Sequence, residues 1–219
     1  MPMKIETICL ASVNSYLLGA EDGFVLIDTG KPEKRGELDA RLDSAGCAPG
    51  ALRLIVLTHG DYDHAGNAPY LRDKHGATIA MHPDDAGRVE QGDWSLNMKP
   101  KPDKFPLLFR TMALFVRPGP FETFIPDVLL DDAQSLKDYG LDAVVLHLPG
   151  HTKGSIGILT SDGDLFCGDL MDSMMGRPSL EFFIDDMSAA RASLASLRQF
   201  NVGMVYPGHG KPFRLDQVK

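Results

Sequence analysis

Thr58-His59-Gly60-Asp61-Tyr62-Asp63-His64-Ala65-Gly66 sets four metal-competent side chains within six residues, directly behind the apolar run 52–57. A strand that feeds such a loop constrains the fold strongly. Successive side chains on a strand point to opposite faces, so His59, Asp61, Asp63 and His64 converge on one point only if the chain leaves the strand there. Imidazoles and carboxylates together suit divalent first-row metals. Three later segments present ligands in the same way. His151 follows an apolar run in Leu148-Pro149-Gly150-His151-Thr152, Asp169 ends Phe166-Cys167-Gly168-Asp169, and His209 closes Tyr206-Pro207-Gly208-His209-Gly210. Four separate strand ends thus carry metal-competent groups in a chain with 7 histidines.

The remaining pattern alternates strands with helices. Apolar and β-branched runs predict strands at 5–11, 15–19, 23–27, 52–57, 78–81, 143–148, 155–160, 165–167 and 204–206. Leu38 and Leu42, four apart and followed by Gly46, predict a helix over 32–45. Two more helices are predicted over 67–75, stopped by Gly76, and over 187–200. Two groups of strands, each followed by helices, predict an α/β sandwich of sheets and helices. Between 92 and 126 the period is lost, and six prolines, five phenylalanines and the one tryptophan, Trp94, crowd together. This stretch is expected to be an insertion lying over a single domain that spans 1–219, as long functional loops do. Its aromatics Trp94, Phe105, Phe109, Phe115 and Phe121 are candidates for an apolar lid, a homodimer contact or a satellite core.

Charge narrows the partners. With 22 Lys and Arg against 30 Asp and Glu, the net charge is −8, which argues against broad binding to nucleic acid or an anionic membrane and leaves room only for a local basic groove. Cys9, Cys47 and Cys167 are odd in number and lack CxxC spacing, so no disulfide framework is expected and a reducing compartment fits. No apolar run reaches the roughly 18–20 residues that span a bilayer, and the N-terminal segment lacks the unbroken apolar stretch of a signal peptide. A cytoplasmic protein with a small-molecule substrate is expected.

Taken together, these motifs resemble the metallo-β-lactamase fold superfamily of metal-dependent hydrolases. The resemblance runs from Asn14-Ser15-Tyr16-Leu17 and Ile27-Asp28-Thr29-Gly30, through the 58–66 loop and Pro149-Gly150-His151-Thr152, to His209. It implies a four-layer αβ/βα sandwich with two divalent metal ions (zinc, or iron, manganese or a mixture) along the sheet edges. By position, His59, Asp61 and His151 would hold the first ion and Asp63, His64 and His209 the second, with Asp169 bridging them. The implied chemistry is attack by a metal-bridged hydroxide on a small ester, lactone, thioester or phosphodiester, with Asp63 orienting the nucleophile or moving a proton. Asp28 has two readings, a group that fixes a ligand histidine or a residue that merely forms the turn before Thr29-Gly30.

One position departs from the family's H-x-H-x-D-H motif, because Asp61 stands where the second histidine belongs. Two dications, three aspartates and a bridging hydroxide then sum to zero, one unit less than with histidine at 61. The count predicts poorer Lewis acids and a lean toward iron or manganese. It also predicts that Asp61→His keeps metal binding while changing metal preference.

Other residues receive plainer expectations. His75 is expected at an exposed helix end, His82 at a strand end, His147 on a sheet face and Cys167 buried in a strand. Tyr62 either meets substrate or packs, and Met171, Met174, Met175 and Arg177 are expected around the pocket mouth. A glyoxalase-type thioesterase is disfavoured because only ten residues follow His209, too few for a glutathione-binding helical domain. A β-lactamase is disfavoured by Asp169 in place of a cysteine, and a nuclease by the missing basic surface. Lactonase, esterase and phosphodiesterase stay open. The alternative class is a mononuclear iron oxygenase or other iron oxidoreductase on the same fold, which would use three ligands and leave the second set idle. A non-catalytic, metal-stabilised protein fits least, since closed structural zinc sites are dominated by cysteine.

Overall fold

An apolar strand can feed two cores at once if both its faces are covered, and the alternation in this chain does so. The computed structural model describes residues 3–104 and 122–218. Strands β1 (Ile5–Leu10), β2 (Val13–Ala20), β3 (Gly23–Ile27), β4 (Leu52–Val56), β5 (Thr78–Met81) and β6 (Val128–Leu129) lie side by side in that order. The first three pair antiparallel, and β3 to β6 are parallel. The second half supplies β7 (Ala143–His147), β8 (Ile156–Thr160), β9 (Asp164–Gly168), the ribbon strands β10 (Met171–Asp172) and β11 (Ser179–Leu180), then β12 (Met204–Pro207) and β13 (Phe213–Arg214). Its five-stranded sheet runs β13-β12-β9-β8-β7, with β12 parallel to β9.

Tyr16, Leu18, Val25, Ile27, Leu54 and Val56 point from the first sheet into a shared core with Val145, Ile158 and Phe166 of the second. Their alternate neighbours Leu17, Leu26 and Ile55 point the other way, onto Leu38 and Leu42 of helix α1 (Arg35–Ser44). Past the single-turn helix α2 (Tyr62–Ala65), Leu71 of α3 (Ala68–His75) joins that outer core. On the far side Leu146, Leu165 and Val205 pack with Ala190 of the last helix. The layers are therefore helix, sheet, sheet, helix, the αβ/βα sandwich that the motifs implied.

Helix α4 (Pro83–Gln91) was not legible as a period. Its sequence PDDAGRVEQ is mostly polar, and it forms because His82 Nδ1 caps the Asp84 amide and Pro83 opens the first turn. The last helix, α5 (Met187–Ser196), stops short of the predicted 200 and tightens into a 3₁₀ turn. The described parts of 92–126 carry neither helix nor regular strand, and Lys104 bridges Ile184. Trp94 is exposed, while Phe105, Phe109, Phe115 and Phe121 lie outside the described residues. Among the described residues no helix is long and apolar enough to cross a membrane.

Candidate metal centre

The polar loops that follow β4 of the first sheet and β7, β9 and β12 of the second converge on one site, and each ligand histidine they carry is fixed from behind through Nδ1. His151 Nδ1 donates to the Phe183 carbonyl at 2.8 Å, and His209 Nδ1 to the Ser12 carbonyl at 2.7 Å. His64 Nδ1 donates to Asp28 Oδ2 at 2.9 Å. Thr58 gives its own hydroxyl proton to Asp28 Oδ2, so Thr58 Oγ1 accepts from His59 Nδ1 at 3.0 Å. With all four Nδ1 atoms donating, the four Nε2 atoms face inward as lone pairs in the neutral rings. Asp28 therefore touches His64 directly and His59 through Thr58. It holds that place at the end of β3 with a left-handed φ of 57°.

All seven residues singled out in the sequence meet here. Asp169 Oδ2 lies 3.9 Å from His59 Nε2, 3.5 Å from His64 Nε2, 3.9 Å from His151 Nε2 and 3.2 Å from His209 Nε2. On one side, His59, Asp61 and His151 bring ligand atoms within 4.8 Å of one another, and on the other Asp63, His64 and His209 do the same. Gly208 makes this approach possible, because a Cβ there would stand 2.1 Å from Asp169 Oδ1 and 2.8 Å from His64 Cε1. His59 Nε2, His64 Nε2 and Asp169 Oδ1 are buried with no hydrogen-bond partner among the described residues. Buried polar atoms are nearly always satisfied, so this donor set, two imidazole nitrogens and a carboxylate oxygen, fits a divalent cation.

Charge is arranged unevenly around the site. Burial and then the neighbouring His64 push His59 well below the ordinary histidine range. Burial alone would raise Asp169, yet His209 and His64 outweigh it and hold the carboxyl low. Asp61 is likewise opposed by burial and is held low by Arg88, whose Nη2 pairs with Asp61 Oδ1. Behind His151, Glu181 Oε2 stands 3.7 Å from Nδ1, and burial raises that carboxyl. Asp85, also buried, accepts from Gly60 N, Gly154 N and the Thr152 hydroxyl, tying the His59 loop to the His151 loop. Across the site Asn14 does the matching task, donating Nδ2 to the Pro207 and Gly210 carbonyls around His209.

Arg88, Asp85 and Glu181 were missed from the sequence, whereas Asn14 belonged to a quoted motif without a role. Several plainer expectations need correction. His75 is buried, because its four-residue spacing from Leu71 sets it on the inner face of α3. Met171 is in the core behind β9 and Arg177 is exposed, while Met174 and Met175 do border the mouth. Tyr62 donates its hydroxyl to Glu33. Cys167 is buried in β9 and turns its thiol to backbone carbonyls. His82 and His147 stack 4.1 Å apart and 8° from parallel. Parallel rings at that spacing cannot both aim an in-plane lone pair at one cation, although Asp84 lies close by. Beside Asp63 and His209 opens a cavity of about 390 Å³, walled by Met174, Met175, Phe182 and Phe183.

A family model for the metallo-beta-lactamase superfamily matches residues 10–209, and the chain belongs to that superfamily. Hydroxyacylglutathione hydrolase GloC of Haemophilus influenzae is 32% identical over 99% of this chain and 95% of its own length. Acyl-coenzyme A thioesterase MBLAC2 of Bos taurus is 26% identical over 94% of this chain and 75% of its own. Among solved structures, the BLEG-1 B3 metallo-beta-lactamase superposes with a TM-score of 0.74 at 23% identity, covering 98% of this chain and 95% of that one. That last likeness is one of fold. The relatives named are hydrolases, and GloC aligns with this chain over 95% of its own length, so a hydroxyacylglutathione hydrolase need not carry a separate glutathione-binding helical domain.

Proposed function

We propose that the chain, folded as one domain, is a metal-dependent hydrolase of small thioesters that holds two divalent cations. The observation that carries this reading is the trio of buried, partnerless atoms at His59, His64 and Asp169. Leaving each of them bare costs roughly 1–3 kcal/mol, and cations set among them remove that penalty. His59, Asp61 and His151 would hold one ion, Asp63, His64 and His209 the other, and Asp169 would serve both. Zinc, iron, manganese or a mixed pair all suit these donors. When bound, such a pair supplies a nucleophilic water at neutral pH and a Lewis acid for the acyl oxygen.

The chain's own residues do the positioning. The Asp63 side chain is the most exposed of the seven at 27%, and it lies on the cavity wall. It is placed to take a proton from the attacking water and return it to the departing sulfur. Water oxygen joins the acyl carbon, the C–S bond breaks, and an acid and a thiol leave. Met174, Met175 and Phe182 offer an apolar wall to the acyl group. The thioester preference is supported by the two named relatives that act on acyl thioesters. A three-ligand oxygenase would leave Asp63, His64 and His209 without a task.

Elemental analysis and a substrate panel test the reading together. Two ions per chain are expected. A hydroxyacylglutathione or short acyl-coenzyme A should turn over at least tenfold faster than a lactone or a bis-aryl phosphodiester. One iron per chain with oxygen uptake would overturn the proposal, and a preference for the phosphodiester would overturn its substrate.

A further inference from the structure

Arg88 is the bulkiest fully buried side chain described, at 2% exposure. A buried guanidinium with no counter-charge is strongly destabilising. Among the described residues its one ion-pair partner is Asp61, and its Nε makes no hydrogen bond. Asp85, three residues earlier on α4, has both oxygens engaged by Gly60, Gly154 and Thr152 and forms no ion pair with Arg88. The loop is shaped for the pairing. A Cβ at residue 60 would stand 3.0 Å from Arg88 Cβ and 3.3 Å from its Cδ, so Gly60 leaves the path along which the arginine stem passes. The carboxylate is divided between two tasks. Oδ1 meets Arg88, and Oδ2 turns inward, 3.2 Å from His151 Nε2 and 3.8 Å from His59 Nε2.

We infer that Asp61 and Arg88 act as one electrostatically neutral ligand unit, standing in for the histidine that the family motif has at position 61. The inference rests on the metal-centre reading above and corrects the charge count made from the sequence. The guanidinium adds one positive charge, so the whole site returns to the value it would have with histidine at 61. The expected loss of Lewis acidity is cancelled, and metal preference is set by Arg88 as much as by Asp61. Arg88 is a positioning residue, holding Asp61 to one free oxygen.

Asp61→His restores the family motif, yet on this inference it fails alone, because it leaves the guanidinium buried beside a dication. Its first-site affinity should fall about 100-fold or more, the scale of an uncompensated buried charge. The pair Asp61→His with Arg88→Met should recover to within about tenfold of the unmodified protein. The readouts are ions per chain after dialysis and zinc affinity by chelator competition. Circular dichroism of the chelator-stripped proteins reports folding. If Asp61→His does not fold, Arg88→Met carries the test, because the unmasked carboxylate should shift the zinc-to-manganese affinity ratio toward manganese by about tenfold. The inference is overturned if Asp61→His binds two ions as tightly as the unmodified protein, if the double variant is no better than the single, or if Arg88→Met leaves selectivity unchanged. An unmodified protein that binds fewer than two ions would instead overturn the two-ion reading itself.

Discussion

Taken as sets, His59, Asp61 and His151 are less exposed than Asp63, His64 and His209, and more charged side chains stand behind the first set than behind the second. The first set has side-chain exposures of 0%, 17% and 3%, against 27%, 0% and 11% for the second. Behind the first stand buried charges, Arg88, Asp85 and Glu181, each engaged by a named partner. His209 is held by the Ser12 carbonyl, its flanking turn by the Asn14 amide through the Pro207 and Gly210 carbonyls, and His64 by the buried carboxylate of Asp28. A charged support tunes the potential felt at a ligand, whereas a neutral one fixes only its position. Charged side chains thus stand behind both halves, Arg88, Asp85 and Glu181 behind the first and Asp28 behind His64 of the second, while the half that carries Asp63 and His209 borders the cavity and is left open to substrate.

Removing what the two halves share should give the largest effect. Asp169→Ala is expected to cost roughly 10³-fold or more in kcat, equivalent to several kcal/mol of lost stabilisation. Both ions should be lost by elemental analysis while circular dichroism shows the fold intact. Full activity in that variant would show that Asp169 is not shared by the two halves. Asp85→Ala acts on the deep half only. It strips acceptors from two amides and a hydroxyl, and about 3 kcal/mol of stability should go with them, lowering Tm by about 10 °C. Metal affinity should weaken at the first position and hold at the second. Equal weakening at both would show that the halves are not separately supported.

Asn14→Ala is the counterpart on the open side. Losing two donors to the 207–210 turn should weaken the second position about tenfold and leave the first unchanged, as read by sequential chelator titration. The smallest effect is one of pH in chelator-stripped protein. Burial would lower His209, but Asp169 outweighs it and raises the group to about 9. A raised folded pKa gives stability that is full below the unfolded value, near 6.5, and is lost as pH rises through about 9. The unfolding midpoint should therefore decline across that window. Asp169→Ala should flatten His209's share of the decline, and an unchanged slope would remove Asp169 as its cause.

Strand ends were legible because the information is local. An apolar run followed at once by His59-Gly60-Asp61 or Pro149-Gly150-His151 carries both the element and the ligand in one stretch of chain. Helix α3 was legible from the Gly76 stop, but His75 was misjudged, since four-residue spacing from the buried Leu71 outweighs a polar side chain. Helix α4 was missed because only Ala86 and Val89 mark the buried face of the mostly polar PDDAGRVEQ, and with it went Arg88 and Asp85. Their partners sit 27 residues away at Asp61 and 69 residues away at Gly154, and nothing in the composition of either segment points to the other.

The amino-acid order by itself determined the layered α/β architecture, the four ligand-bearing loops and the departure at Asp61. The first two follow from period, turn chemistry and residue type, which act over a few neighbouring positions, and the third from the resemblance to the family motif. Only the tertiary structure decided the electrical character of the site, because charges couple through space and the guanidinium that answers Asp61 reaches it from a helix on another part of the chain.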